Sequence, residues 1–565
     1  VSDEGVEGLP AEPIIGANQP PTSRAGSTLV AAGIFLSRIA GLIRTRVFAQ
    51  YLGASEYADV ITAGLRMPNV LQNLLGEGTL SASFIPVYSE LLEEGREEEA
   101  TRTAGAIFGL LVALAGAIAL IGILLAPLLV RIFLPGFEGE RRELSIAVVR
   151  IIFPMTGFLV LSAWSLGILN SHRKFFLSYV APVVWNVSMI ATLLLLGGRL
   201  ELDRVVIALA WGALIGGGLQ FAVQLPSVLR LEPRLRPTLD LKLASVREAI
   251  RNAGPAIAGR GVVQISAWMD LILASFLAAG AVAVIGYAQT LYILPISLFG
   301  MSVAAAELPE LARRRSGGVD ELRARANAGL ERIAFFVVPS FIAFVVLGDV
   351  LVAAVLQTGQ FDSGDTALVH LTLIGFSIGL LASASTRLFS STFFALHDTR
   401  TPARIAVLRV STAAILGFFL MIQFEPIPSQ AVVTRFFTIP AMSVDWGMLA
   451  NVTVSGRSLG PVGLAAGSGL AAWLEWELLR RALRDRIGPV GARLGLVGRM
   501  FGAALTAAAA GWGVRLLLDD VHPLAMGFVV FSIYGIVYFG IAGALGLQEA
   551  ERVRARLLAR FRRGR

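Results

Sequence analysis

Apolar runs of about 20 residues recur along the chain from Ser27 to Leu547, each closed by a polar break. A run of that length crosses roughly 30 Å of hydrocarbon as a helix, so the pattern predicts an all-α polytopic membrane protein. The spans fall at approximately 27–50, 57–88, 104–133, 144–170, 178–198, 204–228, 249–279, 283–311, 330–357, 366–395, 402–423, 459–480, 494–518 and 523–547, about fourteen in all. Several exceed a minimal span, as tilted or broken helices do.

The breaks form two alternating sets. One holds EEGREEEATR, NSHRKF, LRLEPRLRPTLDLKLASVREAIR, ARRRSGGVDELRAR, HDTRTPAR, RRALRDRIGPVGAR and the tail ERVRARLLARFRRGR, with about 29 Lys and Arg; the other, from YLGASEY to VHP, holds about 6. Positively charged loops stay on the cytoplasmic side, which places the first set and both termini there. Residues 1–26 are rich in Pro, Gly and acidic residues and lack a positive n-region before an apolar stretch, so they read as a disordered tail rather than a cleaved signal. The basic tail over 548–565 reads either as a stop signal after the last span or as an amphipathic helix on an anionic leaflet.

An internal repeat sets the expected architecture. LGASEYADVITAGLRMP has a counterpart in LAAGAVAVIGYAQTLYILP, with Gly53 over Gly280 and Pro68 over Pro295. Downstream, PGFEGE matches TGQFDSGD with Phe137 over Phe361, and LNSHR matches LHDTR with Leu169 over Leu396. One shift of about 225 residues covers all three landmarks. The repeat predicts two pseudo-symmetric six-helix lobes around a central cavity: an N-lobe over 27–230, a basic cytoplasmic linker at 231–248 and a C-lobe over 249–486 with a long outer loop at about 424–458. Two further spans follow over 493–547. Duplicated bundles of this kind place a substrate path between their halves, which is transporter architecture and not that of an enzyme.

Composition narrows the chemistry. Charged residues make up 16% of the chain and hydrophobic ones 55%, against roughly a quarter charged in a soluble domain. With no cysteine, disulfides, thiolate nucleophiles and Cys-ligated metals are excluded. The net charge of +8 sits in the short breaks rather than on one surface, so it argues for topology and against nucleic acid. The four histidines, His172, His370, His397 and His522, are scattered near span ends without metal-ligand spacing and read as solvated. AGSGLA around Gly467 lacks a preceding strand and a Walker lysine, so no ATP hydrolysis is expected, and no cofactor beyond an ion gradient or the membrane potential.

Against that apolar background a few charges stand out. Arg38, Arg44 and Arg46 lie in the first span, in FLSRIAGLIRTRVF. An arginine at the centre of an apolar helix costs roughly 2.5–3.5 kcal/mol, so three need compensation. Snorkelling serves Arg46, near the outer end, but poorly Arg38, about midway. Arg38 and Arg44, six residues apart, are separated by roughly 9 Å along the axis and about 120° around it, which suits the border of a wide cavity. The second span adds Asp59, Arg66 and Glu77 and is interrupted by Pro68 and by Gly76–Gly78. Charge and helix breakers together predict a cavity wall, with Asp59 or Glu77 as a neutralising partner for an arginine of the first span the alternative reading. In the second half Arg260, Asp270, Glu307 and Arg387 fall within spans. Asp270, in SAWMDLILASF, is a candidate for an ion pair or for a Na⁺ ligand, the latter short of the six or so oxygens a hard cation takes.

The run SRIAGLIRTRVFAQYLGASEYADVITAGLRMPNVLQNLLGEGTLSASFIPVYSE resembles the N-terminal signature of the MurJ/MviN lipid II flippases, members of the multidrug/oligosaccharidyl-lipid/polysaccharide exporter superfamily. The resemblance continues through ILNSHRKFFLSYVAPVVWNVSMI, AGPAIAGRGVVQISAWMD and LHDTRTPARIA. It implies a fourteen-helix protein of the bacterial inner membrane that moves the undecaprenyl-pyrophosphate-linked peptidoglycan precursor, lipid II, from the inner to the outer leaflet by alternating access. It also implies that Arg38 and Arg44 bind the pyrophosphate, that Asp59 and Glu77 are acidic positions of the second helix, and that the last two spans shape a groove for the lipid tail. By the same resemblance Asp270 matches a position that binds sodium in some relatives.

Departures accompany the likeness. Where the family carries a basic pair this chain has Gln72 and Asn73, and its acidic and basic positions of the eighth helix fall on Gln289, Thr290 and Ile293. Arg66, Arg260 or Arg387 are candidates to replace the missing charge. Lipid II is therefore the leading cargo, beside another polyprenyl-linked oligosaccharide, or a transport-inactive scaffold that recruits cell-wall synthesis proteins.

Overall fold

The structure, a computed structural model, describes residues 24–301, 303–304, 318–424, 453–518, 521–553 and 555. Most of the N-terminal tail, Glu307, most of the 424–458 loop and the end of the basic tail lie outside the described residues, as do the side chains of Glu77 and Arg260. The chain divides into two compact units, residues 1–283 and 284–565.

Among the described residues unit 1 is built from nine helices: α1 (Arg24–Leu52), α2 (Glu56–Leu75), α3 (Glu77–Glu93), α4 (Glu97–Leu124), α5 (Ala126–Phe133), α6 (Gly139–Ser171), α7 (Phe175–Leu196), α8 (Leu202–Leu231) and α9 (Ala244–Ser275). Ser55 caps α2, its hydroxyl accepting from the Ala58 N–H at 3.3 Å. The expected second span is broken at Gly76, whose backbone (φ −84°, ψ −141°) leaves helical space between α2 and α3. Phe84, Tyr88, Ile107, Val160, Trp164, Val228 and Val246 form a core among α3, α4, α6, α8 and α9. The seventh predicted span, α9, packs against α2, α3, α4 and α5.

Unit 2 opens with α10, whose first residues belong to unit 1 (Ala281–Pro295), running into a π-helical turn (Ile296–Met301). There follow α11 (Val319–Val346), α12 (Gly348–Leu356), α13 (Ser363–Ser377), α14 (Leu380–Ala395), α15 (Arg400–Phe424), a two-stranded hairpin of β1 (Thr453–Val454) and β2 (Arg457–Ser458), α16 (Gly460–Ile487), α17 (Leu494–Leu516) and α18 (Pro523–Ala544). A capping box of Asp362 and Asp365 starts α13. Helices α15 and α16 cross at glycines: a Cβ on Gly467 would lie 2.4 Å from the Gly417 nitrogen. The AGSGLA run is thus a close helix crossing of the kind small residues permit.

The two appended helices dock on α11 through a specific polar device. Pro339 lies inside α11 and has no N–H to give to the Phe335 carbonyl one turn before it. The Tyr538 hydroxyl from α18 donates to that carbonyl at 2.6 Å, and the Tyr534 hydroxyl donates to the Pro339 carbonyl at 2.7 Å. Around these bonds Ala503, Ala504, Ala507 and Ala508 of α17 pack with Phe335, Val338 and Ile342.

Among the described residues nine helices are long and apolar enough to cross a membrane, and ten when the pair α13–α14, bent by 43°, counts as one. The charged α1, α2, α9 and α16 stand outside that set. The repeat is visible in the backbone too. Gly53 and Gly280, Gly95 and Gly318, and Arg173 and His397 all have positive φ, each pair about 225 residues apart. The third pair registers Arg173 on His397, whereas the sequence match sets Arg173 over Arg400.

Candidate functional site

The first helix carries the residues of interest on a partly covered surface. Ala40, Val47, Phe48, Ala49 and Leu52 are buried, while Phe35, Leu36, Ile39 and Ile43 are exposed. Arg38 lies on the exposed side. Arg44 is half-buried where α1 packs on α7, its guanidinium 4.8 Å from the Trp185 ring centroid and 5.7 Å from that of Phe48. Aromatic faces attract a cation without consuming its in-plane donors. Among the described residues Arg44 has no carboxylate partner and no hydrogen-bond acceptor. The result is a guanidinium held over a ring with its N–H groups unpaired among the described residues, a donor set suited to a planar or tetrahedral oxyanion in two-point contact.

Asp59 has a different environment from the cavity wall expected of it. Its carboxylate is fully buried, ion-paired to the Arg141 guanidinium, and accepts from the backbone N–H groups of Gly280 and Ala283 at 2.7 Å each. Those N–H groups open α10, where a carboxylate offsets the unpaired donors and the positive helix end. Arg141 also lies over the Phe137 ring at 3.5 Å. Gly280 holds a left-handed φ of +91°, and a Cβ there would sit 2.1 Å from the Ala54 carbonyl oxygen, so only glycine lets this turn close on the start of α2. Asp59 is committed within unit 1, as the neutralising partner that the sequence left open, though for Arg141 rather than for an arginine of α1. Arg141 itself was not singled out from the sequence. Its one signal is a basic residue in an outer break, where basic residues are scarce.

Arg66, half-buried in α2, has Asp270 of α9 as its charge neighbour. The alternative left open for Asp270, ion pair or sodium ligand, thus meets a fixed cation close by. Among the described residues no group of three or more His, Cys, Asp or Glu side chains that could hold a metal ion is found.

Two histidines expected to be solvated are held in place. His172, at the end of α6, shares a hydrogen bond of 2.9 Å with the Tyr88 hydroxyl. Tyr88 and Thr101 both donate to the buried Glu232 carboxylate beyond the end of α8. Burial alone would raise the Glu232 carboxyl, but the His172 imidazole 3.7 Å away and the hydrogen bonds from Thr101 and Tyr88 bring it below its ordinary value. His370 lies 3.1 Å from the Phe344 carbonyl oxygen. His397 and His522 are exposed.

Apolar helices in number and an internal duplication define a polytopic transporter rather than an enzyme. Comparison with known proteins bears this out. The family model described as lipid II flippase MurJ matches residues 48–427. A lipid II flippase MurJ from Burkholderia cenocepacia is 28% identical over 522 residues, covering 91% of this chain and 96% of its own. A probable lipid II flippase MurJ from Rhizobium tropici is 31% identical over 390 residues, 68% of this chain and 73% of that one. A solved structure of the lipid II flippase MurJ in an inward closed conformation superposes with a TM-score of 0.72 at 22% identity, covering 92% of this chain and 99% of the other, a likeness of fold. The chain belongs to the lipid II flippase MurJ family. Its members are multi-pass proteins of the bacterial inner membrane.

Proposed function

We infer that this chain moves lipid II from the inner to the outer leaflet by alternating access, and that Arg38 and Arg44 hold the pyrophosphate of the cargo. Family membership supports the cargo, and the Arg44 site carries the assignment of residues: a cation fixed over Trp185 with no anion of its own among the described residues. A doubly charged head group leaving water needs cationic donors, and arginine stays charged and offers paired N–H groups. The positive-inside pattern supports both termini in the cytoplasm. The membrane potential is the proposed driving force: a potential negative inside favours outward movement of an anion by about 2.3 kcal/mol per charge per 100 mV.

The test is reconstitution of the full chain in proteoliposomes with lipid II under a potassium-diffusion potential. Translocation is expected for the wild type, at a rate that falls when the potential is collapsed. Arg44→Ala is expected to abolish it while inserting and unfolding normally. Normal translocation by Arg44→Ala and Arg38→Ala would remove both residues from the mechanism.

A further inference from the structure

Unit 2 contains a polar cluster that the assignment above does not use. Tyr292 of α10 donates its hydroxyl hydrogen to the Ser383 hydroxyl of α14 at 3.0 Å. One turn on along α14, Arg387 is exposed, and together with Arg409 of α15 and Glu475 of α16 it acts electrostatically on the Tyr292 hydroxyl. Arg409 Nε lies 3.4 Å from Glu475 Oε2, with the carboxylate largely covered. Among the described residues neither guanidinium donates a hydrogen bond, and Arg387 has no carboxylate partner.

The depth of these groups makes the arrangement hard to explain as decoration. At 1.5 Å per residue, Arg387 is about 12 Å from the end of α14, Arg409 about 14 Å into α15 and Glu475 about 18 Å from the end of α16. All three ends join breaks of the basic, cytoplasmic type. An intramembrane charge is expensive in hydrocarbon and is kept where it faces other polar groups. Here two hydroxyls, two guanidinium groups and one carboxylate meet from four helices. A single internal carboxylate leaves a net charge of +1 and two sets of unused N–H donors.

We propose that Tyr292, Ser383, Arg387 and Arg409 form a second anion-recognition site in unit 2, for an oxyanion of the cargo's head group. Glu475 holds Arg409 in place when the site is empty. The shared chemistry is a carboxylate or a phosphate, from the peptide arm or from the pyrophosphate of the lipid-linked precursor. This inference rests on the flippase reading, and the experiment separates the two.

Full-length protein in nanodiscs is titrated with three probes: lipid II, lipid II with its peptide carboxylates amidated, and undecaprenyl pyrophosphate. Arg387→Ala is expected to weaken binding of lipid II at least tenfold with an unchanged unfolding midpoint, and Arg387→Lys to restore part of it. If Arg387→Ala fails to fold, Arg387→Gln keeps the stem, loses the charge and gives the same reading. Loss confined to lipid II, with the amidated probe unaffected, supports the site and identifies the peptide carboxylate as its ligand. Equal loss for all three probes supports it with phosphate as the ligand. Unchanged affinity for every probe in a folded charge-neutral variant overturns the site and leaves the flippase reading intact, whereas a wild type that binds none of the three overturns the flippase reading itself.

Discussion

Asp59 and Arg44 are both charges on membrane helices of unit 1, and each has an outcome opposite to the other. Asp59 is buried with its oxygens consumed by Arg141 and by two backbone N–H groups. Arg44 is held by ring faces alone, with its donors unspent. A charge that is fully satisfied within the protein stabilises the fold and is closed to a ligand. One that is positioned but unsatisfied waits for a partner from outside. Hydrogen-bond saturation, rather than the presence of charge, separates architecture from function in this membrane protein.

The comparison predicts opposite failures. Asp59→Ala leaves a buried guanidinium unpaired and the start of α10 uncapped, and removing one partner of such a pair costs about 3–5 kcal/mol. The expected outcome is loss of folded protein in detergent, seen as a lowered unfolding midpoint and poor yield; a variant as stable as wild type would break the contrast. Arg44→Ala is expected to cost no more than about 1 kcal/mol of stability, the worth of a cation–π contact near the surface, while lipid II translocation falls by two orders of magnitude or more. Arg44→Lys is expected to fall between, since an ammonium keeps the charge without the fork.

Smaller effects sharpen the same point. Tyr538→Phe leaves the Phe335 carbonyl without its donor beside Pro339, at a cost of about 1–3 kcal/mol. Proteolysis of α17 and α18 after that change, compared with wild type, reads the loosening directly. The smallest effect is expected at Glu232, a satisfied carboxylate beyond the end of α8. Its folded pKa is held below the ordinary value of 4.5, so its contribution is complete above that value and is lost as the pH falls through the lowered folded value. An unfolding midpoint that drops on acidification in the wild type, and less so in Glu232→Gln, is the expected result.

Much of the fold was legible from the chain. Apolar run length gave the helices, and the repeated Gly53 and Gly280 turns marked the duplication, because glycine is the residue that takes a positive φ most readily. The roles of the charges were less legible. The periodicity of α1 places Arg38 and Arg44 on its surface but is silent about Trp185, which lies more than a hundred residues away. Asp59 resembled a cavity residue because its partner, Arg141, stands in what reads as an ordinary outer loop. Asp270 acquired its charge neighbour, Arg66, only when α2 and α9 came together.

The sequence by itself determined that this protein lives in a bilayer, that it is duplicated and to which family it belongs. Hydropathy, loop charge and turn residues are local properties, and each is written within a few neighbouring positions. Only the tertiary structure decided which charges are spent and which are kept available. A guanidinium is satisfied or unsatisfied according to what lies within about 3–4 Å of it, and that neighbourhood is assembled from helices far apart in the chain.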